Sequence, residues 1–159
     1  GSDRVAFYLS PNTGEDVKPL AQIVSSGEAA RVMLALKKAL TRVDPIPVLI
    51  FDEIDAQIGG RLGQITGKKL KELSADRQII LITHLPQIAS FGDVHFKVSK
   101  KVVHERTVTF ATPLTGDGRI GELAAMMSGE THSTVALQHA EDMLSAGQSS
   151  RRATKKVRA

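Results

Sequence analysis

The spacing of apolar residues predicts alternating strands and helices in the first half of the chain. Residues 5–9 form an apolar run that is typical of a strand. A helix is predicted to begin just after Gly27, because apolar residues then recur at helical spacing up to Leu40. Pro45 and Pro47 end this pattern, since proline cannot continue a helix. The basic residues on the opposite face of the helix are Arg31, Lys37, Lys38 and Arg42.

Two later runs are continuously apolar rather than alternating, at residues 48–51 and 78–83. Continuous runs are typical of strands that are buried on both faces, as in a parallel sheet. A helical pattern at residues 61–74 separates them, so the order of strand, helix and strand predicts a right-handed βαβ unit. Ligands of such sheets bind beyond the carboxyl ends of the strands.

The second half of the chain predicts a hairpin and two closing helices. Residues 94–98 and 102–110 are expected to form strands, with the three residues between them as the turn. Helices are expected at residues 119–128 and 132–146, and Gly129 is expected to end the first. The expected fold class is therefore α/β, with a mostly parallel sheet and flanking helices.

Composition limits the class of protein. The 159 residues are 42% hydrophobic and 24% charged, which is ordinary for one globular domain. No apolar run approaches the roughly 20 residues of a membrane-spanning helix. The absence of cysteine excludes disulfides, thiolate metal sites and a cysteine nucleophile, and it fits a cytoplasmic protein. Gly1 and Ser2 resemble a cloning remnant and are left out of the domain.

The net charge of +4 comes from the end of the chain. Five of the 21 basic residues lie within residues 151–158, and without them 16 basic and 17 acidic residues remain, a net charge of −1. The expected organisation is a body at residues 3–147 followed by a basic, disordered tail at residues 148–159. The alternative role for this tail is a nonspecific arm that binds phosphate groups.

Asp52 and Glu53 directly follow the first continuous apolar run and form the sharpest candidate site. A carboxylate at the end of a buried strand can hold a hard cation such as Mg²⁺. A second carboxylate beside it can act as a base on an attacking water. The alternative is an acidic cap for the next helix, and the residues alone leave both interpretations open.

Two further features have both a structural and a functional interpretation. His84 follows the second apolar run, where it either bonds a loop carbonyl or donates to a phosphate oxygen. Ser25, Ser26, Gly27 and Glu28 stand at the start of the first long helix. They either cap this helix or bind an anion at its N-terminus.

The order of these features resembles the C-terminal half of an ABC-type ATPase head, in which the signature motif, Walker B, D-loop and switch histidine follow one another. Three stretches are similar to the RecN family of bacterial double-strand-break repair ATPases, which are related to the SMC proteins. They are residues 25–37 (SSGEAARVMLALK), 51–60 (FDEIDAQIGG) and 82–95 (ITHLPQIASFGDVH), of which the last is the most specific. The resemblance extends from about Val5 to about Leu144.

The resemblance implies ATP and Mg²⁺ as ligands and a role for each candidate residue. Asp52 would hold Mg²⁺ through water. Glu53 would polarise the hydrolytic water, and His84 would contact the γ-phosphate. Asp55 would reach across an interface between two heads.

Residues 25–28 are implied to bind the nucleotide held by a second head. Ser26 departs from the family pattern, which has glycine at this position, and its side chain occupies space where close backbone approach is wanted. Binding of the opposite nucleotide would then be weaker, or the hydroxyl would add a phosphate contact.

A larger departure is that the 159 residues contain no Walker A loop. Residues 63–69 hold two glycines and two lysines, but no strand precedes them as that loop requires. The implied partners are therefore an N-terminal Walker A lobe of the same protein, a second head in an ATP-dependent dimer, and DNA through the complete protein. The isolated lobe would be inactive, and the implied location is cytoplasmic and nucleoid-associated. The alternatives are the head lobe of another SMC or Rad50-like protein and a non-catalytic α/β interaction module.

Overall fold

The structure is a computed structural model, and it describes residues 3, 5–10, 13–14, 16–23, 26–40, 43–56, 58–129 and 133–156. The elements in chain order are β1 (Tyr8–Leu9), β2 (Lys18–Pro19), α1 (Leu20–Ile23), α2 (Ser26–Ala39), β3 (Val48–Phe51), α3 (Gly60–Leu73), β4 (Gln78–Leu81), α4 (Pro86–Ala89), β5 (His95–Val103), β6 (Arg106–Leu114), α5 (Gly116–Ser128) and α6 (Thr134–Lys156). The α/β class is confirmed.

Strands β3 and β4 form the parallel pair that the two continuous apolar runs predict. Val48 pairs with Gln78 and Phe51 with Leu81, and α3 is the crossover between the strands. The ladder continues past β4, since the Ile82 N–H donates to the Phe51 carbonyl oxygen at 3.0 Å. The carboxyl ends of both strands therefore lie at one edge, as predicted. Among the described residues parallel pairing is confined to these two strands, because β1–β2 and β5–β6 are antiparallel.

One face of the β3–β4 pair is buried and the other is open. Leu49 and Phe51 point into a core that is completed by Leu34, Ile54, Leu70, Leu73 and Ile88. On the opposite face, Ile50 is 67% exposed and Ile80 is 44% exposed. The prediction of strands buried on both faces is therefore wrong for the described part of the chain, because its helices cover only one face of the pair.

The predicted turn of the hairpin is also wrong. Strand β5 runs without a break to Val103, which pairs with Arg106 of β6. The turn therefore consists of His104 and Glu105, with φ values of 48° and 61°. Two-residue turns with both residues at positive φ match the twist of antiparallel strands. They usually contain asparagine or glycine, so His104 and Glu105 carry no sequence signal for this turn.

Helices α5 and α6 pack together and close the second half of the chain. Gly129 ends α5 in the left-handed conformation with φ of 74°, as predicted. Helix α6 continues to Lys156, so residues 148–156, which are expected to be disordered, are helical in this structure. No helix in the described ranges is long and apolar enough to cross a membrane. The buried contact between the two helices consists of Leu123, Ala124, Ala140 and Leu144.

Candidate functional site

The turn that follows β3 brings two carboxylates to the carboxyl edge of the strand pair. Asp52 and Glu53 are both exposed there. Asp52 Oδ1 accepts a hydrogen bond from the Glu53 N–H at 2.9 Å, and the Glu53 carbonyl oxygen accepts one from the Ala56 N–H at 3.0 Å. Helix α3 begins later, with Gly59 as its N-cap, so neither carboxylate caps the next helix. That structural alternative is therefore removed.

Glu53 has an unusual backbone conformation. Its φ is 57°, in the left-handed region. This conformation costs a residue with a side chain about 1–2 kcal/mol. Backbone strain of this kind concentrates at functional sites, where the surrounding structure maintains it. His104 and Glu105 share this conformation within the hairpin turn, whereas Glu53 lies beside Asp52 at the carboxyl edge of the strand pair, which makes the turn after β3 the candidate site.

His84 lies at the same edge, where it contacts the turn after β3. The His84 side chain is 74% exposed, and its Nδ1 lies 3.0 Å from Oδ2 of Asp55. The same carboxylate oxygen accepts hydrogen bonds from the His84 N–H at 2.8 Å and from the Thr83 hydroxyl at 2.5 Å. The ends of β3 and β4 are thus joined through one carboxylate.

Asp55 is only 3% exposed, and its surroundings favour the ionised form. Burial alone raises the pKa of this carboxyl group, but the hydrogen bonds from Thr83 and the His84 N–H outweigh burial and hold the pKa below its ordinary value. The predicted contact of Asp55 with a second head stays a prediction. Within this lobe, the structure shows its carboxylate turned inward onto the turn after β4.

The N-terminal end of α2 packs directly on the turn after β3. Gly27 is buried, and a Cβ added to it would lie 2.8 Å from both the Cβ and the carbonyl oxygen of Ala56. Arg31 Nη1 donates to the Ile54 carbonyl oxygen at 3.3 Å and to the Ala56 carbonyl oxygen at 3.0 Å. The start of α2 and the candidate carboxylates are therefore held in one unit.

Of the four predicted signature residues, only the placement of Gly27 is fully described. Ser25 lies outside the described residues, as do the side chains of Ser26 and Glu28. Arg31 was not predicted as a site residue, since helical spacing assigns it to the basic face of α2. The one signal that could have found it is its position four residues after Gly27, which puts both on one side of the helix.

The cleft beside this edge does not enclose a nucleotide by itself. It has a volume of about 220 Å³, and it lies between α2 and β3 with Met33, Lys37, Ile50 and Asp52 in its lining. Small-molecule pockets are larger, roughly 300–1,000 Å³. No group of three or more histidine, aspartate or glutamate side chains that could hold a metal occurs in the described part of the chain. A complete nucleotide or metal site therefore needs groups in addition to these.

The chain is similar to proteins named DNA repair protein RecN. It is 46% identical to that of Treponema pallidum over 152 residues, which are 96% of this chain and 26% of the relative. It is 40% identical to that of Halalkalibacterium halodurans and 36% identical to that of Bacillus subtilis, each over 144 residues and 91% of this chain. The chain thus spans about a quarter of the length of these relatives. No protein-family model matches it.

A solved structure supports the same relationship at the level of the fold. It comes from work on ATP-driven dimerization and DNA-stimulated activation of SMC ATPases. The match has a TM-score of 0.53 and 25% sequence identity, and it covers 80% of this chain and 75% of the other. Together with the sequence relatives, this likeness shows that the chain belongs to the RecN family over the segment that it spans.

Proposed function

We propose that the chain is the C-terminal lobe of an SMC-like ATPase head that acts in DNA repair. Its relatives are named DNA repair proteins, and the similar solved structure is an SMC ATPase. The main support is the contact between His84, after β4, and Asp55, in the turn after β3. This contact joins the turn that holds Asp52 and Glu53 to the proposed phosphate-binding histidine.

Two side chains of this edge would act in hydrolysis. Glu53 is exposed just beyond β3, where its carboxylate would accept a hydrogen bond from the water that attacks the γ-phosphate. This hydrogen bond orients the water and makes its oxygen more nucleophilic. His84 is exposed beside it, and its ring would contact the γ-phosphate of the substrate.

Asp52 has the properties of a Mg²⁺ ligand. It is an exposed carboxylate, and its Oδ1 is oriented by the Glu53 N–H. Proteins bind Mg²⁺ with one or two carboxylates, while phosphate oxygens and water complete the octahedron. A single acidic ligand at this edge therefore fits, and the bound ion would neutralise phosphate charge.

The N-terminal end of α2 would serve the nucleotide of a second head. A helix N-terminus presents free N–H groups and the positive end of the helix dipole, both of which favour phosphate. Residues 25–28 stand at this end of α2, which the Gly27 and Arg31 contacts fix to the turn after β3. Two heads would then close on ATP, and the complete protein would engage DNA in the cytoplasm, at the nucleoid.

A second lobe with the Walker A loop would cover the open face of β3 and β4. Ile50 and Ile80 are exposed on this face, and both strands are continuously apolar, which favours burial on both sides. Exposed apolar patches mark protein interaction sites. The RecN relatives are about four times as long as this chain, so they are long enough to contain such a lobe.

The experiment mixes the 159-residue chain with a separately expressed Walker A lobe of the Treponema pallidum RecN protein. We expect Mg²⁺-dependent release of phosphate from ATP by the mixture and none by this chain alone. Ile50→Asn should weaken the association and the hydrolysis together. The matched control is Val135→Asn, because Val135 is 80% exposed on α6, and this variant should change neither.

The alternative function is a non-catalytic interaction module, which the open apolar face also favours. Such a module would bind its partner through Ile50 and Ile80 without using Glu53 or His84. The same mixture separates the two functions. Association of the lobes without ATP hydrolysis would contradict the ATPase function and support the interaction module.

A further inference from the structure

We propose that Asp55 is a positioning residue for His84. It keeps the ring proton on Nδ1, so that Nε2 is the atom presented to the bound nucleotide. The Nδ1 atom lies 3.0 Å from Asp55 Oδ2, and the carboxylate is almost fully buried, whereas the His84 ring is mostly exposed. The buried carboxylate of Asp55 can thus fix the orientation of the exposed His84 ring.

The chemistry of the carboxylate determines which nitrogen carries the proton. An ionised carboxylate accepts hydrogen bonds and donates none, so the Nδ1 atom facing it must carry a hydrogen. The two other partners of Asp55 Oδ2, the Thr83 hydroxyl and the His84 N–H, are donors as well. In the neutral ring, Nε2 is then an acceptor with a free lone pair, and only the imidazolium form donates from both nitrogens.

The carboxylate is itself held firmly, which a positioning role requires. Thr83 Oγ1 donates to Asp55 and accepts a hydrogen bond from the Leu85 N–H at 3.1 Å. Asp55 Oδ2 therefore accepts hydrogen bonds from the His84 N–H and from a hydroxyl that the next loop orients, and it lies 3.0 Å from the ring Nδ1. An exposed histidine without these bonds would sample several rotamers. Here Nδ1 of the ring lies against a carboxylate that is itself held in place, while most of the ring is exposed.

This arrangement gives a specific consequence for the function proposed above, on which it rests. A contact between Nε2 and a phosphate oxygen needs a hydrogen on Nε2, so the neutral ring held by Asp55 cannot donate it. The neutral ring can instead accept a hydrogen bond from water. Asp55 thus makes Nε2, and not Nδ1, the ring atom that is available to the nucleotide or to its water.

The experiment reads the position of the ring proton directly. The 159-residue chain is labelled with ¹⁵N-histidine, and two-bond ¹H–¹⁵N spectra are recorded at alkaline pH, where the rings are neutral. A His84→Gln variant assigns the signal among the five histidines. We expect Nδ1 of His84 to be protonated in the parent chain. In Asp55→Ala the ring should lose this preference and give the tautomer mixture of an unpaired imidazole.

Thr83→Val is the matched control for loss of a buried hydrogen bond. It removes the hydroxyl that donates to Asp55 but leaves the contact between Asp55 and the ring, so the tautomer should remain unchanged even if stability falls. If Asp55→Ala does not fold, Asp55→Asn keeps the volume and removes the charge, and it should weaken the Nδ1 preference. A proton on Nε2 in the parent chain, or an unchanged Nδ1 proton in both folded Asp55 variants, would overturn the positioning role.

A kinetic measurement in the complete protein connects this role to turnover. Misplacement of a group that contacts the reacting phosphate can cost about 10²-fold in rate, so Asp55→Asn should lower kcat at least about tenfold. In a His84→Gln background the same substitution should have no further effect, because the ring that it positions is gone. Equal losses in both backgrounds would overturn the link to catalysis. The spectra do not require ATP hydrolysis, so an inactive complete protein would contradict the proposed function alone.

Discussion

Gly27→Ala tests whether the start of α2 is locked against the turn after β3. The added Cβ would lie 2.8 Å from the Ala56 carbonyl oxygen, 2.8 Å from the Ala56 Cβ and 3.1 Å from Arg31 Nη1. The first two neighbours are the backbone carbonyl oxygen and the Cβ methyl carbon of Ala56, so neither can rotate away. Relief of the overlap therefore requires α2 and the turn to move apart, which also stretches the hydrogen bonds of Arg31.

The size of the effect follows from two opposing contributions. Alanine is favoured over glycine in a helix by about 1 kcal/mol, and less near the end of a helix. Overpacking in a well-packed interior costs about 1–3 kcal/mol, and a rigid neighbour puts this position in the upper half of that range. We therefore expect Gly27→Ala to lower the free energy of unfolding by about 1–2 kcal/mol. For a domain of this size, each kcal/mol corresponds to about 2–4 °C in Tm.

The assay is urea and thermal unfolding followed by circular dichroism, with Gly121→Ala as the matched control. Gly121 lies inside α5, and a Cβ there would meet nothing within 4 Å. This control should be more stable than the parent chain by about 0.5–1 kcal/mol. A Gly27→Ala variant as stable as Gly121→Ala would refute the close contact between α2 and the turn.

Three further substitutions test the same edge. Arg31→Met removes the charged donor to the Ile54 and Ala56 carbonyl oxygens and should cost about 1–3 kcal/mol in urea unfolding. The exposed control Arg61→Met should stay within about 0.5 kcal/mol of the parent, and equal effects would contradict the Arg31 contacts. The pKa of Asp55 in the folded chain is below that of an unfolded aspartate, which is about 3.9. Its contribution to the free energy of unfolding is therefore complete above about pH 3.9, and it is lost as the pH falls through the pKa of the folded state. Asp55→Asn should therefore unfold with a flatter pH dependence as the pH falls below about 5, and an unchanged profile would contradict the lowered pKa. Glu53→Gly relieves the left-handed strain and should raise stability by up to about 1 kcal/mol while abolishing ATP hydrolysis in the complete protein. If Glu53→Gly is less stable than the parent chain, or if it still hydrolyses ATP at the full rate, then the strained conformation of Glu53 does not serve the function.

Local patterns predict the parallel pair and its common edge for a clear physical reason. Continuous apolar runs that stop at Asp52 and at His84 identify both strands and both strand ends. The crossover helix between them makes the pair parallel, and parallel strands bring their carboxyl ends together. Gly129 was equally predictable, because a glycine after a helical pattern supplies the left-handed cap.

The interactions within the site depend on contacts that no local pattern contains. Asp55 and His84 are 29 residues apart, and their contact exists only because two turns meet beyond the strands. Arg31 lies on the basic face of α2 by spacing, yet it bonds to carbonyl oxygens 23 and 25 residues away. Helical periodicity shows which face of α2 is apolar, but it does not show that the Ile54 and Ala56 carbonyl groups lie against the basic face.

The open face of β3 and β4 and the hairpin turn show two other limits of prediction. Continuous apolar sequence predicts burial on both faces, but Ile50 and Ile80 are exposed in this chain. The continuous apolar pattern of both strands fits the proposal that another lobe covers this face. The turn at His104 and Glu105 was missed because its residues are not the usual formers of a left-handed turn.

The most direct test of the ATPase head is Glu53→Gln in the complete protein that contains this chain. Steady-state release of phosphate from Mg²⁺-ATP gives kcat, and binding of a fluorescent ATP analogue is measured in parallel. We expect kcat to fall at least about 10²-fold with unchanged nucleotide binding, because the substitution removes only the carboxylate that we propose polarises the water. Glu141→Gln, at an exposed position of α6, should leave both unchanged. An unaltered kcat in Glu53→Gln would contradict the assignment of this edge as the hydrolytic site.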